Sequence, residues 1–379
     1  MNNQSIIFDS NVADAQGSAV NPLSADRFDA DAYSAYAKEL EKRCAAFASA
    51  ESGVLVHRRF RVPEVFSSAS ADMKTSLELQ LGALEASRAY PMDVPNFLEP
   101  WYGIGYAAAA FGAEYLWPAG QAPAVEPVFA NLDAALAHEP KAIADTPVGR
   151  HILSMIDFFL ESTGGKVPLS CSDVQSPLNA TTALFPTSVF FMDTLDRPDD
   201  VAALLERVVD LSAEFFKKQV ALIGDALVRP GHGFASSRHF RGLGASDDNS
   251  VMVSPDTYRT LFAPALERFG AATGGTVFHS CGNWSTKIPT VLALNGLVAA
   301  DAALTVRTDP DPNPPEAFRD GFSGTGVTLN ARMVGSAAEI SEAFSHLYSP
   351  KLKTIVVTYC ASAEEQRRAY ESIHERAAL

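Results

Sequence analysis

Apolar positions recur along the chain in two rhythms. Over residues 29–48 they fall at Tyr33, Tyr36, Ala37 and Leu40, and over 72–86 at Met73, Leu77, Leu81 and Leu84. Spacings of three and four residues place such positions on one side of a helix. With the short apolar run 54–57 between them, residues 25–87 read as a helical cap, and the polar stretch 1–24 reads as a flexible surface arm. From residue 89 onward, apolar runs of strand length occur at 89–98, 114–117, 167–174, 240–246, 275–279, 297–301, 321–329 and 352–359. Helical patterns follow most of them, as at 198–222, 254–269, 285–294, 336–347 and 363–378. The second of these helices opens Ser254-Pro255-Asp256, a cap residue followed by proline at the first helical position.

Strand-then-helix text repeated over some 300 residues argues for parallel strands joined by crossover helices, and eight units suggest closure on themselves. The expected fold class is therefore α/β, a (β/α)8 TIM barrel forming one domain over 25–379, with an N-terminal helical extension. A doubly wound open sheet is the alternative. It lacks a Gly-x-Gly-x-x-Gly after any of these runs, and no Gly-x-x-x-x-Gly-Lys-Ser/Thr occurs, which removes the main support for nucleotide binding. The proline-bearing stretches 118–127 and 309–315 read as loops.

Composition narrows the partners. Among 379 residues, 30 Lys and Arg oppose 45 Asp and Glu, a formal charge of −15 that argues against nucleic acid and anionic membranes. No apolar run approaches the roughly 18 residues of a membrane helix, and residues 1–24 have no basic and apolar leader pattern, so the expected location is cytoplasmic. Cys44, Cys171, Cys281 and Cys360 are too dispersed for a disulfide scaffold, which leaves buried packing, a free nucleophile or a metal site assembled by folding.

Barrel enzymes carry their chemistry at the C-terminal ends of strands. The run 275–279 ends in His279-Ser-Cys281-Gly, and 352–359 ends at Cys360. A histidine and two thiolates make a three-ligand zinc set with a fourth position open, softer than Mg²⁺ or Ca²⁺ would select. The plainer reading is that buried cysteines pack and a strand-end histidine caps a carbonyl. Cys44, in a helix pattern, and Cys171, inside the third run, default to packing. Glu99, Asp247 and Asp248 are the candidate catalytic carboxylates, able to complete a metal shell, orient substrate or act as general acid. For the Asp pair, turn and capping chemistry is the competing role. Trp101, Tyr102 and His239 are candidate substrate contacts, against packing for the aromatics and a loop role for His232 and His239. Arg58, Arg59 and Arg61 suit a carboxylate or sulfonate, or a solvated face.

His279-Ser-Cys281-Gly-Asn283, Asp247-Asp248 with Ser254-Pro255-Asp-Thr-Tyr258 and Phe262-Ala-Pro264, and the distant Cys360 resemble the uroporphyrinogen decarboxylase superfamily, over roughly residues 70–379. Within it they are most similar to the zinc-dependent, corrinoid-linked methyltransferase branch. Val94-Pro-Asn-Phe-Leu-Glu99-Pro-Trp101-Tyr102-Gly103 matches that family's first barrel strand and active-site loop, and Gln175-Ser-Pro177-Leu178 the turn after a middle strand. The decarboxylases carry an Arg-rich glycine loop and a histidine on the last strand. Here His57-Arg58-Arg59-Phe-Arg61 lacks the glycines and the last strand ends in Cys360, which disfavours porphyrin decarboxylation.

The resemblance implies a (β/α)8 barrel, zinc on His279, Cys281 and Cys360, and methyl transfer between a small methoxy, methylamine or thiol compound and a corrinoid (methylcobalamin or cob(I)alamin) on a partner protein. It leaves room for a homo-oligomer. Competing readings are a cobalamin-independent zinc thiol alkyltransferase, acting for example on an epoxide, a decarboxylase-like lyase, and a non-catalytic ligand-binding barrel.

Overall fold

The computed structural model describes residues 17–118 and 121–378. Its centre is a sheet of seven parallel strands: β1 (Gly53–Arg58), β2 (Val174–Gln175), β3 (Ala245–Ser246), β4 (Thr276–His279), β5 (Leu297–Ala303), β6 (Thr328–Met333) and β7 (Lys353–Thr358). Their order across the sheet is β1, β7, β6, β5, β4, β3, β2. Sequential neighbours joined through helices are what right-handed β-α-β units produce, and the arrangement is compatible with a TIM-like barrel. Strand β7 is buried throughout and β5 nearly so, because helices cover one face while side chains fill the other.

The segment 93–98 is bonded to β1 on one side and to residues 168–170, just before β2, on the other. Asp93 N–H donates to Val56 O at 2.7 Å, Leu98 N–H to Pro168 O at 2.8 Å, and Ser170 N–H to Leu98 O at 2.9 Å. Leu169 in turn bridges Leu98 and Leu227 in parallel register.

Several expectations from the sequence need correction. Residues 54–57, placed in a helical cap, form β1, which pairs with β7 from Gly53↔Lys353 to Arg58↔Thr358. The pattern was too short to show that its partner lay 300 residues on. The 114–117 run is not a strand of the central sheet: Tyr115–Leu116 pairs antiparallel with Ala124–Val125, so the stretch 118–127, read as a loop, supplies the other arm of a small two-stranded sheet. The run 321–329 is split, because Gly321 and Phe322 end the helix Pro315–Phe322 and the chain then turns at Gly324 and Gly326, with φ of 78° and 73°, before β6 begins. The arm at 1–24 lies outside the described residues up to residue 16; beyond it, Ser18 N–H donates to Arg61 O and Leu23 N–H to Glu78 O.

The helices follow local rules. α1 (Ala30–Ser49) is capped by Asp29, whose carboxylate accepts from Ala32 N–H, and buries Tyr33, Ala37, Leu40, Cys44 and Phe47. α2 is Met73–Ser87, capped by Asp72. α3 (Pro147–Thr163), not foreseen as a helix, starts with a Thr146 cap and Pro147 and stops at Gly164 in the left-handed region. α4 is Pro198–Ile223. The helix expected over 254–269 is interrupted by a π-turn at Tyr258–Phe262 before α5 (Ala263–Thr273). Pro264 has no N–H, and its ring crowds the carbonyl four residues back, so a wider turn relieves the strain. α6 (Pro315–Phe322), α7 (Ala337–Leu347, with a Ser336/Glu339 capping box) and α8 (Ala363–Ala377) follow β5, β6 and β7, and shorter helices such as Thr187–Asp196 lie between the others.

Asp93 ties α1, β1 and α8 together. Its buried carboxylate accepts from Val56 N–H, Tyr370 Oη and His374 Nε2, each at 2.8 Å, and from Arg43. Burial alone would raise its pKa, but these donors, His374 foremost, hold it below the usual range. Asp93→Ala is therefore expected to cost about 2–4 kcal/mol in urea unfolding at pH 7, since Val56 N–H loses a buried acceptor. The deficit should shrink on acidification. A depressed carboxylate contributes fully above its unfolded pKa of about 3.9, and the contribution fades as pH falls through the folded value.

Candidate metal centre

The register of β4, β5 and β6 sets the site. His279 pairs with Asp301, and Asp301 with Asn330, so the three stand side by side across the sheet. Arg332, two residues beyond Asn330, shares its face. Asp301 is wholly buried and accepts from His279 Nδ1 at 2.8 Å, Asn330 Nδ2 at 2.5 Å and Arg332 Nε at 2.9 Å. Burial favours the neutral carboxyl, but Arg332 and then His279 outweigh it and keep its pKa below the ordinary value. Burial likewise opposes charge on His279, yet Asp301 and the Cys281 thiol raise its pKa well above 6.5.

His279 Nε2 points the other way. It lies 3.5 Å from Cys281 Sγ and 3.7 Å from Asp248 Oδ1. The ligand atoms of Asp248, His279 and Cys281 lie within 4.8 Å of one another. Asp248 Oδ1 also accepts from Cys281 N–H at 2.8 Å, which fixes the carboxylate beside the thiol. The spacing suits zinc: Zn–S of 2.3 Å and Zn–N of 2.0–2.1 Å at a tetrahedral angle put sulfur and nitrogen about 3.5 Å apart. A carboxylate fixing the far nitrogen of the imidazole is the outer support such ligands use.

Not every residue singled out in the sequence joins this group. The Cys360 thiol stands outside it, buried, its pKa pushed up to about 11 by burial; its carbonyl accepts from Arg58 Nε at 2.8 Å. Asp247 is buried behind Asp248. Its carboxylate accepts from Ser176 Oγ and Tyr258 Oη, each at 2.5 Å, and its pKa is raised to about 6, chiefly by burial. The π-turn delivers that tyrosine, so Asp247 braces the loop that carries Asp248.

Glu99 and Trp101 belong to a second cluster. His232 Nδ1 lies 2.5 Å from Glu99 Oε1 and its Nε2 3.5 Å from Asp173 Oδ2, while Trp101 Nε1 donates to Asp173 at 3.2 Å. Burial raises the pKa of Asp173. His232 lies on a loop, as its sequence suggests, and is held there between two buried carboxylates. Tyr102 turns away, stacked on His151 at 3.8 Å and packed against Trp117.

His239 lies at the opposite pole. It lines a cavity of about 300 Å³ with Leu297, Thr328 and Lys353, the first residues of β5, β6 and β7. The segment between His232 and His239 runs down the interior: Ala235 N–H donates to Asn330 Oδ1 at 3.0 Å, and the Phe234 ring meets His279 edge-on at 6.2 Å.

Asp173, Asp301, Asn330 and Arg332 were not anticipated from the sequence. Asp301 had a signal, as the lone carboxylate in the apolar run Leu297-Val-Ala-Ala-Asp301-Ala-Ala.

No family model matches the chain, and no curated protein matches it. A methyltransferase from Methanosarcina mazei, of solved structure, is similar to it, with a TM-score of 0.62 at 16% identity over 89% of this chain and 98% of its own. At that identity the likeness is one of fold.

Proposed function

We propose that this chain is a zinc-dependent methyltransferase built on a closed (β/α)8 barrel, moving a methyl group between a small substrate and a corrinoid carried by a separate protein. The observation that carries the reading is the gathering of His279 Nε2, Cys281 Sγ and Asp248 Oδ1, at separations a tetrahedral ion spans, with His279 held from behind by Asp301. The fold likeness to a protein named a methyltransferase supports it. Closure is supported by the bonds of 89–98 to Val56 and to Pro168 and Ser170.

In this reading His279, Cys281 and Cys360 hold zinc, with Asp248 beside them. Bound there, the ion would supply Lewis acidity that keeps a thiol deprotonated or polarises a methoxy or amine donor. The chain's own groups do the positioning. Asp301 fixes the imidazole with Nε2 directed at the thiol, and Cys281 N–H aims the Asp248 carboxylate. His232 stands between Glu99 and Asp173 as the group able to give or take the substrate's proton.

No described helix is long and apolar enough to cross a membrane, and Cys44, Cys171, Cys281 and Cys360 are free thiols; both suit the cytoplasm.

Metal analysis tests the reading. The purified chain is expected to hold about one zinc, and Cys281→Ala to lose it while remaining folded. Zinc-loaded protein should then convert cob(I)alamin to methylcobalamin with a methoxy or methylamine donor, or demethylate methylcobalamin with a thiol. A folded wild-type chain that takes up no zinc after supplementation sinks the proposal.

A further inference from the structure

The cavity of about 300 Å³ at the N-terminal ends of β5, β6 and β7 has no part in the chemistry described above, and none of Asp248, His279, Cys281 and Cys360 lines it. Its volume is at the small end of the range of ligand sites. Two separate apolar clusters wall it. Ala235 and Ile355 belong to one, with Phe240 packed on it, and Phe234 and Ala299 to the other, with Val298 packed on it. The space between them persists because the residues facing it are small. Barrels usually fill such a layer with Val, Ile and Leu, whereas Ala235 and Ala299 stand here, with Ala48 and Gly326 beside them.

The polar groups of the cavity carry one sign of charge. His239, Arg241 and Lys353 line it, and among the described residues no Asp or Glu does. Lys353 is 7% exposed, and its Nζ donates to Ala48 O at 3.1 Å and to Ala50 O at 2.7 Å. Those bonds use two of three N–H groups, and the end of α1 supplies only a partial negative charge. Burial lowers the lysine's pKa, and no carboxylate among the described residues acts to raise it. A buried ammonium is normally paired, so this one leaves a place for an anion. The Arg241 side chain is exposed and makes no hydrogen bond or ion pair among the described residues. Glu41, 3.8 Å from His239 Nε2, accepts from Ser237 Oγ and Arg238 N–H and lies outside the lining. In a chain of net charge −15, three basic groups around one apolar space run against the overall field.

We propose that this cavity is a second ligand site, for a short aliphatic carboxylate, with the alkyl chain between Ala235, Ala299 and Ile355 and the carboxylate against Lys353 and Arg241. The two strands set the order of these contacts. Lys353 opens β7, and Ile355, two residues on and on the same face, lies about 6–7 Å further into the sheet, so the charged end is outermost. The site stands whether or not the Cys281 group holds a metal.

The test is calorimetric binding of hexanoate, acetate and hexylamine to the metal-free full chain, so that no carboxylate is held by zinc. Hexanoate should bind saturably and at least about tenfold tighter than acetate, since each buried methylene adds to its affinity, and hexylamine should not compete. Arg241→Gln, Lys353→Met and Ala299→Leu, the last filling the space, should each weaken hexanoate by about tenfold or more. Arg241 is exposed, so its variant keeps the test decisive if Lys353→Met or Ala299→Leu does not fold. Absence of hexanoate binding, equal affinity for acetate, competition by hexylamine, or wild-type affinity in folded Arg241→Gln or Ala299→Leu overturns the site.

Discussion

Asp301→Asn is expected to lower stability by about 3–5 kcal/mol and zinc affinity by about 10–100-fold. The stability loss follows from what the carboxylate holds. Arg332 is buried, and Asp301 is its ion-pair partner, so the amide leaves a guanidinium uncompensated in a dry interior. The metal effect follows from His279, whose Nδ1 proton now faces a carboxylate at 2.8 Å that fixes the tautomer and ring orientation. Urea unfolding and zinc competition with a chelator check the two halves. The pH dependence has a definite sign. Asp301 has a depressed pKa, so its contribution is complete above about pH 4 and is lost as pH falls through the lower folded value. Wild type and variant should therefore converge in acid. A variant as stable as wild type at pH 7 would show that Arg332 is satisfied in another way.

The second large effect separates the two candidates for the third zinc ligand. Cys360→Ala is expected to reduce zinc affinity by about 100-fold or more, and Asp248→Asn by about tenfold or less, because a thiolate binds zinc more strongly than an oxygen that the amide partly retains. The Cys360 thiol lies outside the Asp248–His279–Cys281 group, so to serve as a ligand it has to turn toward it. Its pKa of about 11 reflects burial, which a bound cation would offset. The opposite ranking, with Asp248→Asn the more damaging, would assign the third position to Asp248.

The helices were the most legible part of the sequence. The stripe Tyr33, Ala37, Leu40 and the signal Ser254-Pro255 fix helix starts and faces locally, and strands β4, β5 and β7 stand out as apolar runs. What escaped depends on partners distant in sequence. β1 is recognisable only through β7, and the runs 167–174 and 240–246 yield only the two-residue strands β2 and β3, with single bridges from Leu169 to Leu98 and Leu227. His279 and Cys281 were legible because they end a strand. Arg332 was not, and Asp301 showed only as a lone carboxylate in an apolar run, because the role of a buried charge declares itself only when its counter-charge on the next strand is seen. His239 and His232 share one loop, and nothing in its composition shows that they leave it toward opposite poles.

That loop has a mechanical consequence. Phe234 and Ala235, the latter pinned by Asn330, lie across the interior beside His279, so a ligand seated at that imidazole would have this ring for a floor. Floor height, set by one aromatic ring, would then gauge how long such a ligand could be. A bulkier or slimmer residue at 234 would change that room without altering any member of the Asp248, His279 and Cys281 group.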